Sequence, residues 1–330
     1  MIKVAITGAG YISKIHAKAL QSIQGVELVA VVERFPKTAF PFMEEFGCKK
    51  HYKTIFELLD KDHIDTLIIG TPNFLHASQA IAALESNIHV MVEKPMAMNA
   101  KEAYQILAAQ QNSRAMLMVA HCWRFDPEVL WLKKQIDTGR FGKIIRTKGY
   151  GVHERWGPSG WFTRKKLAGG GALADVGIHA LDTARFLLGD PQAESAYARI
   201  GTYYTESDVD DTGVMIVNWR GGVTSYIESG WWQPHADGPE AATQVYGDKG
   251  FGQLFPTYIL DKDGKTEPGF IYPRINHAPQ SMYDDQMSYF IQCIRNNTPP
   301  NPGGMEGWVN MKIIDAAYKS SKTGRVIKVE

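Results

Sequence analysis

Gly8-Ala9-Gly10-Tyr11-Ile12-Ser13 follows the apolar run Lys3 to Thr7 directly and precedes a stretch whose apolar side chains return every three or four residues. A glycine turn between strand and helix is where a dinucleotide fingerprint must sit, although an α/β domain that binds no nucleotide can carry one too, and either way it commits the chain after it to a parallel sheet with helical crossovers. Gly8 permits the tight turn. Gly10 lets backbone N–H groups approach a pyrophosphate at the helix N-terminus, where Tyr11 and Ile12 begin the helix and its dipole favours an anion. Ser13 stands where a third glycine is usual, a position that governs helix-to-strand packing and accepts a small residue.

The alternation continues to about residue 120. Strands are expected at Lys3 to Thr7, Val26 to Val32, Ile64 to Gly70, Ile88 to Val92 and Met116 to Ala120. Helices are expected between the first two strands and at Pro36 to Phe46, Thr54 to Leu59, His76 to Ser86 and Asn99 to Gln111. Five strands with interleaved helices describe a doubly wound α/β sheet, which binds ligands at the carboxyl ends of its strands.

Those strand ends carry the polar residues of interest. Glu33 ends the second strand, where a carboxylate can accept from the adenine ribose hydroxyls and favours NAD; Arg34 beside it suits a 2′-phosphate, so NADP stays open. Thr71-Pro72-Asn73 with His76 follows the third strand, and Glu93-Lys94-Pro95 follows the fourth, each with a proline fixing the backbone as it leaves the sheet. Lys94 is then expected to project toward the cofactor crevice, although a lysine at a strand's carboxyl end is equally placed to be simply solvated.

After His121 the texture changes. All eight tryptophans lie beyond residue 120. A helix is expected at Asp126 to Asp137. Alternating runs at Ile144 to Tyr150, Val214 to Trp219 and Val223 to Glu228 read as antiparallel strands, and Ser281 to Asn296 and Glu306 to Ser321 as closing helices. The expected domains are therefore 1–120 and 121–330.

In the second part, Gly169-Gly170-Gly171 precedes an apolar helix carrying Asp175 and His179, four residues apart and hence on one face of its first turn. An imidazole titrates near neutral pH, and a neighbouring carboxylate can orient it or bind a substrate hydroxyl. The same spacing also fits a helix cap and a core histidine. With no HExxH and no clear third ligand, no metal is expected.

Composition removes other classes. With 36 basic and 35 acidic side chains, 12 and 11 of them in the first 120 residues and 24 and 24 in the rest, the chain has no basic field for nucleic acid. Its apolar runs are too short to cross a bilayer, so no membrane partner is expected. The N-terminus enters a strand-like run without the regions of a signal peptide. Three cysteines without CxxC spacing argue against a disulfide framework and fit a cytoplasmic protein.

Together, GAGYIS, TPNFLH, EKPMAMN and GGGALADVGIHALD resemble the Gfo/Idh/MocA family, along essentially the whole chain. The resemblance implies an N-terminal Rossmann domain and a C-terminal α/β domain for substrate binding and oligomerisation. Its open, predominantly antiparallel sheet would form a homodimer or homotetramer interface. It further implies an NAD(P)-dependent oxidoreductase that moves a hydride between the nicotinamide and a hydroxyl or keto carbon of a sugar, glycoside or cyclitol.

By carry-over, Lys94, Asp175 and His179 are the catalytic set: His179 is the base, Lys94 stabilises the oxyanion, and Asp175 holds a neighbouring hydroxyl or the imidazole. Arg124, in Trp123-Arg124-Phe125, is expected near the cofactor. His153, Trp156, Trp161 and Arg164 suit a carbohydrate ring, offering polar donors and flat apolar faces, although tryptophans anchor loops and interfaces equally well. Trp231 and Trp232 are expected to face opposite sides of a strand, so at most one reaches the site. Substrate choice rests on loops around 153–164 and 231–240. Two alternatives use the same fold: a redox-neutral enzyme that cleaves glycosides through transient oxidation with resident NAD, and a nucleotide-sensing regulator that has no use for a proton carrier.

Overall fold

The structure is a computed structural model and describes residues 1–235, 238–268 and 279–330. In chain order its first elements are β1 (Ile2–Thr7), α1 (Tyr11–Gln21), β2 (Val26–Val32), α2 (Pro36–Phe46), β3 (Lys50–Tyr52), α3 (Ile55–Lys61), β4 (Thr66–Ile69), α4 (His76–Glu85), β5 (His89–Glu93), α5 (Ala100–Gln111) and β6 (Leu117–Ala120). They build one parallel sheet of order β3-β2-β1-β4-β5-β6. Five strands were expected. The sixth, β3, is a three-residue edge strand with no apolar alternation to announce it.

Helix starts show why these segments are helical. α3 and α5 were expected from Thr54 and Asn99, but these residues are caps: each side chain accepts the N–H of the glutamate three residues on, Glu57 at 3.2 Å and Glu102 at 2.9 Å. The glutamates reach back to the N–H groups of Lys53 and Met98, which satisfies further donors that a helix start leaves open.

The second group of elements is α6 (Pro127–Asp137), β7 (Ile144–Glu154), α7 (Lys165–Ala168), α8 (Ile178–Leu187), β8 (Ala193–Gly201), β9 (Thr212–Trp219), β10 (Thr224–Gln233), β11 (Ala241–Gly247), β12 (Gly250–Leu254), β13 (Tyr258–Asp261) and β14 (Thr266–Pro268). The chain closes with α9 (Gln280–Asn296), α10 (Gly304–Thr323) and β15 (Ile327–Lys328). A nine-stranded sheet runs β14-β13-β12-β11-β7-β10-β9-β8-β15 and is antiparallel except between β7 and β10. α6 begins one residue later than expected because Asp126 caps it, accepting from Glu128 N at 2.8 Å. Under the sheet, Val129 and Leu132 of α6 and Leu187 of α8 pack with Phe141, Val245, Leu254, Phe255 and Ile259.

The chain divides into two compact units: residues Met1–Cys122 with Pro279–Trp308, and residues Trp123–Ala278 with Val309–Glu330. The single cut expected at residue 120 has no place for the return of Pro279–Trp308 to the first unit. In that unit α9 lies along α1, where Gln280 donates to the carbonyl of Ile15 at 3.1 Å and Arg295 donates to that of Gln24. Such a return joins segments some 260 residues apart, which local periodicity does not register.

Candidate active site and cofactor cradle

In the first unit the strand order changes direction between β1 and β4, and the glycine turn sits at that point. Gly8 has φ +82°, and a Cβ there would lie 2.8 Å from the carbonyl oxygen of Gly70, at the end of β4. A Cβ on Gly70 would in turn collide with Ser13. The close strand-to-helix approach expected of the third fingerprint position is therefore made by Ser13 against Gly70. Gly10 is different: among the described residues no atom outside its own turn lies within 4 Å of where its Cβ would be. It caps α1 in extended conformation without a side chain, and the first turn of α1 carries no acidic residue. Its N–H groups therefore face an open cradle of positive potential. Tyr11 is exposed there and Ile12 half-buried.

Glu33 closes the other side. Its carboxylate accepts from Ala9 N at 3.2 Å and from Phe35 N at 3.0 Å, which sets it against the glycine turn. Its neighbour Arg34 is exposed, with the guanidinium 5.6 Å from the centre of the Phe35 ring. Open glycine, unopposed helix start and carboxylate fit the pyrophosphate and adenine ribose of a dinucleotide.

The next two strand ends are tied to each other. His76 is wholly buried. One ring nitrogen meets the carbonyl of Thr71 at 2.8 Å, the other that of Pro95 at 2.9 Å. Burial holds its pKa below the ordinary value, against the pull of the two carbonyls. His76 was expected to touch the cofactor; its ring lies instead between two backbone carbonyls, and as a neutral imidazole, with one N–H, it donates to one of them. Thr71 and Pro72 are half-buried and Asn73 is buried, and the Thr71 hydroxyl donates to Gln79 at 2.9 Å. Lys94–Pro95 is a cis peptide.

Glu93 is buried, and its two carboxylate oxygens have separate partners: His16 Nε2 at 2.8 Å and Lys94 N at 3.1 Å. Tyr283 of α9 meets the His16 ring edge-on at 5.9 Å. Cys122 is buried near Glu93, and its thiol is pushed up to about 12, chiefly by burial. Lys94 itself is half-buried. His16 gave no signal in the sequence because a helix-face histidine looks the same with or without a carboxylate behind it.

In the second unit, Asp175 and His179 do not share the first turn of one α-helix as expected. Asp175 lies in a π-helical turn, Leu173–Gly177, and His179 in the first turn of α8. Both are half-buried. Nor is Asp175 the cap: Ala172 takes that position without a side-chain bond, and Asp210 supplies what is missing. The buried Asp210 carboxylate accepts from Gly171 N at 2.9 Å, Leu173 N at 2.8 Å and the Tyr318 hydroxyl at 2.8 Å. Burial raises its pKa. Asp210 was missed because it sits in the polar run Asp208-Val209-Asp210-Asp211, which reads as a solvated loop. Gly151 of β7 matters too: a Cβ there would press to 3.0 Å on the Val176 carbonyl, so glycine lets the π turn lie directly on the strand.

Arg124, expected beside the cofactor, is buried in an ion pair. Its Nε and Nη2 donate to the two carboxylate oxygens of Asp182, each at 2.8 Å, and the guanidinium also reaches Asp190. Burial opposes the Arg124 charge, and Asp182 and Asp190 more than restore it. Those bonds occupy the fork of the guanidinium.

The substrate candidates lie in this unit as well. His153 and Trp156 stack with ring centres 3.6 Å apart, Trp156 donates to Glu240, and Trp161 stacks on Phe162 at 3.8 Å. Arg164 is exposed just before α7. Trp231 is buried against Ala172, Val176, Val209 and Phe162, while Trp232, at φ +55° where the β10 register slips, is 41% exposed. Residues 236 and 237 of the second loop lie outside the described residues. Among the described residues no three His, Cys, Asp or Glu side chains gather as a metal site, and no helix is long and apolar enough to cross a membrane.

Residues 2–121 match the NAD-binding Rossmann fold of the Gfo/Idh/MocA oxidoreductases, and residues 129–251 match that family's C-terminal domain. The chain belongs to the Gfo/Idh/MocA family. Curated relatives span its whole length. The scyllo-inositol 2-dehydrogenase (NAD(+)) of Bacillus subtilis strain 168 is 26% identical, covering 100% of this chain and 96% of that one. The D-glucoside 3-dehydrogenase of Escherichia coli K12 is 27% identical, covering 99% and 97%. Among solved structures, levoglucosan dehydrogenase in complex with NADH and levoglucosan superposes with a TM-score of 0.89 at 23% identity, covering 99% of both chains. At that identity the likeness speaks for the fold.

Proposed function

We propose that this protein is an NAD-dependent dehydrogenase that moves a hydride between the nicotinamide and one CH–OH carbon of a sugar, glycoside or cyclitol. The observation that carries this reading is the cradle: an open Gly10 at an unopposed helix start, with the Glu33 carboxylate held beside it. A bare carboxylate there suits a ribose diol and repels a 2′-phosphate, which favours NAD over NADP despite the exposed Arg34. The names of full-length relatives support a sugar or cyclitol as substrate.

The bound nicotinamide supplies the hydride acceptor. His179 takes the proton of the reacting hydroxyl, and Lys94 stabilises the oxyanion that develops there. Asp175 holds the neighbouring hydroxyl or orients the imidazole. His153, Trp156, Trp161 and Arg164 hold the sugar ring. In this reading the unit of Met1–Cys122 with Pro279–Trp308 binds cofactor, and the unit of Trp123–Ala278 with Val309–Glu330 binds substrate and forms a homodimer or homotetramer through the open face of the large sheet. The protein works in the cytoplasm on a small carbohydrate, with neither nucleic acid nor membrane as partner.

The test is absorbance at 340 nm with purified protein, NAD or NADP, and a panel of aldoses, glycosides, inositols and sugar acids. NADH formation that needs NAD and one substrate class is the expected result. Glycoside cleavage without added NAD, with nicotinamide released on denaturation, would overturn it in favour of a redox-neutral enzyme.

A further inference from the structure

The turn Cys122–Phe125 places two consecutive side chains, Trp123 and Arg124, against one face of α8. Their partners, His179 and Asp182, are three residues apart and so lie one above the other on that face. Arg124 grips Asp182 through two bonds of 2.8 Å with both side chains buried, and Asn310 donates to the same carboxylate at 2.8 Å. This pair fixes the turn against the helix. One residue earlier, the Trp123 indole lies parallel to the His179 imidazole, with ring centres 5.1 Å apart and planes 22° from parallel. Phe255 meets Trp123 edge-on at 5.9 Å, and the indole is 8% exposed.

An imidazole turns easily about its last side-chain bond, because that torsion is broad and nearly two-fold. The plane in which the ring lies is therefore undecided by the helix alone. A packed indole against one face allows the ring a single plane, and the flip within that plane is left to the groups around its edge, where Nδ1 is buried. The indole is too buried to serve as a platform for a sugar.

We propose that Trp123 is a positioning residue that holds the imidazole of His179 in its reactive plane, with the Arg124–Asp182 pair keeping the indole in register with α8. This rests on the reading of His179 as the general base.

Two measurements test it. The first needs no substrate: in ¹H–¹³C spectra of histidine-labelled protein, the resonance lost in His179→Asn belongs to His179. Ring current from the stacked indole shifts it upfield; Trp123→Leu moves it downfield, and Trp123→Phe leaves much of the shift in place. A resonance unmoved by Trp123→Leu overturns the proposal. The second is kinetic. Misplacing a reacting group costs up to about 100-fold in rate. Trp123→Leu is therefore expected to lower kcat by about tenfold or more, with substrate KM changed by less than about threefold, and Trp123→Phe to recover most of kcat. If Trp123→Leu shifts the resonance but not kcat, or raises KM alone, Trp123 is packing and not positioning. Should the leucine variant not fold, Trp123→Phe and Trp123→His decide the matter: the flat rings must keep kcat and the shifted resonance together, and loss of one without the other sinks the idea. If His179→Asn keeps full turnover, the reading of His179 fails, whatever Trp123 does to the spectrum.

Discussion

Arg124 and His76 were both expected at the cofactor, and both turn out to be engaged with the protein itself, with consequences for stability. A buried carboxylate that loses its cation is left uncompensated, so Arg124→Met should destabilise by about 3–5 kcal/mol, read as a lower urea midpoint. Removing Asp182 as well, as Arg124→Met with Asp182→Leu, should recover much of that loss. His76 predicts a pH effect. Burial depresses its folded pKa, so below the ordinary imidazole value of about 6.5 the unfolded chain takes up the proton first. The stability supplied by the neutral ring is present above that value and is lost as the pH falls through the lower folded one. The slope is at most about 1.4 kcal/mol per pH unit. His76→Gln should therefore show less loss of Tm than wild type between pH 7 and pH 5. His89, also depressed by burial, titrates alike in both proteins. Equal slopes would mean that the His76 ring takes up its proton alike in the folded and unfolded chain.

At the scale of elements, function depends on how β1, α1 and β4 meet. Gly8→Ala puts a Cβ in the left-handed region and against the Gly70 carbonyl, so it should lower Tm and weaken NAD together. Glu33→Ala removes the ribose acceptor without touching the core; NAD affinity should fall by about tenfold, as measured by tryptophan quenching or calorimetry, with Tm nearly unchanged. An unchanged NAD affinity would remove Glu33 from the site. Elements of this kind were legible in the sequence: β2 and α2 occupy the expected residues, and α3, α5 and α6 start one residue late because Thr54, Asn99 and Asp126 are caps. β3 and the π turn at Leu173–Gly177 were not. The first is too short to show a period, and the second carries the same apolar pattern as an α-helix over its five residues.

At the scale of the whole molecule, the large sheet presents alternating outward residues from its central strands: Arg146, Lys148 and Tyr150 on β7, Val214 and Ile216 on β9, Tyr226 and Glu228 on β10, and Tyr246 on β11. Cations lie over aromatic rings among them, the Arg146 guanidinium 3.5 Å from the centre of Tyr246. Such a face buries apolar area while keeping polar handles, as an oligomer surface does. Ile216→Asp with Tyr226→Asp should shift the mass measured by sedimentation toward that of one chain. A wild-type protein that sediments as one chain would end the oligomer proposal.

The sequence by itself determined the parallel sheet, the glycine turn and the acidic end of β2. These are local: a period of 2 or 3.6, a breaker and a neighbour within one βαβ unit are enough to specify them. Only the tertiary structure decided which polar side chains find partners far along the chain: His16 with Glu93 across 77 residues, Arg124 with Asp182 across 58, and Gly171 with Asp210 across 39. A charged residue has the same local pattern whether it is solvated or buried, and its burial is decided by the packing of segments that no local window contains. The imidazole of His179 belongs to both: its helix was visible in the sequence, and the indole stacked on it was visible only once the chain had folded.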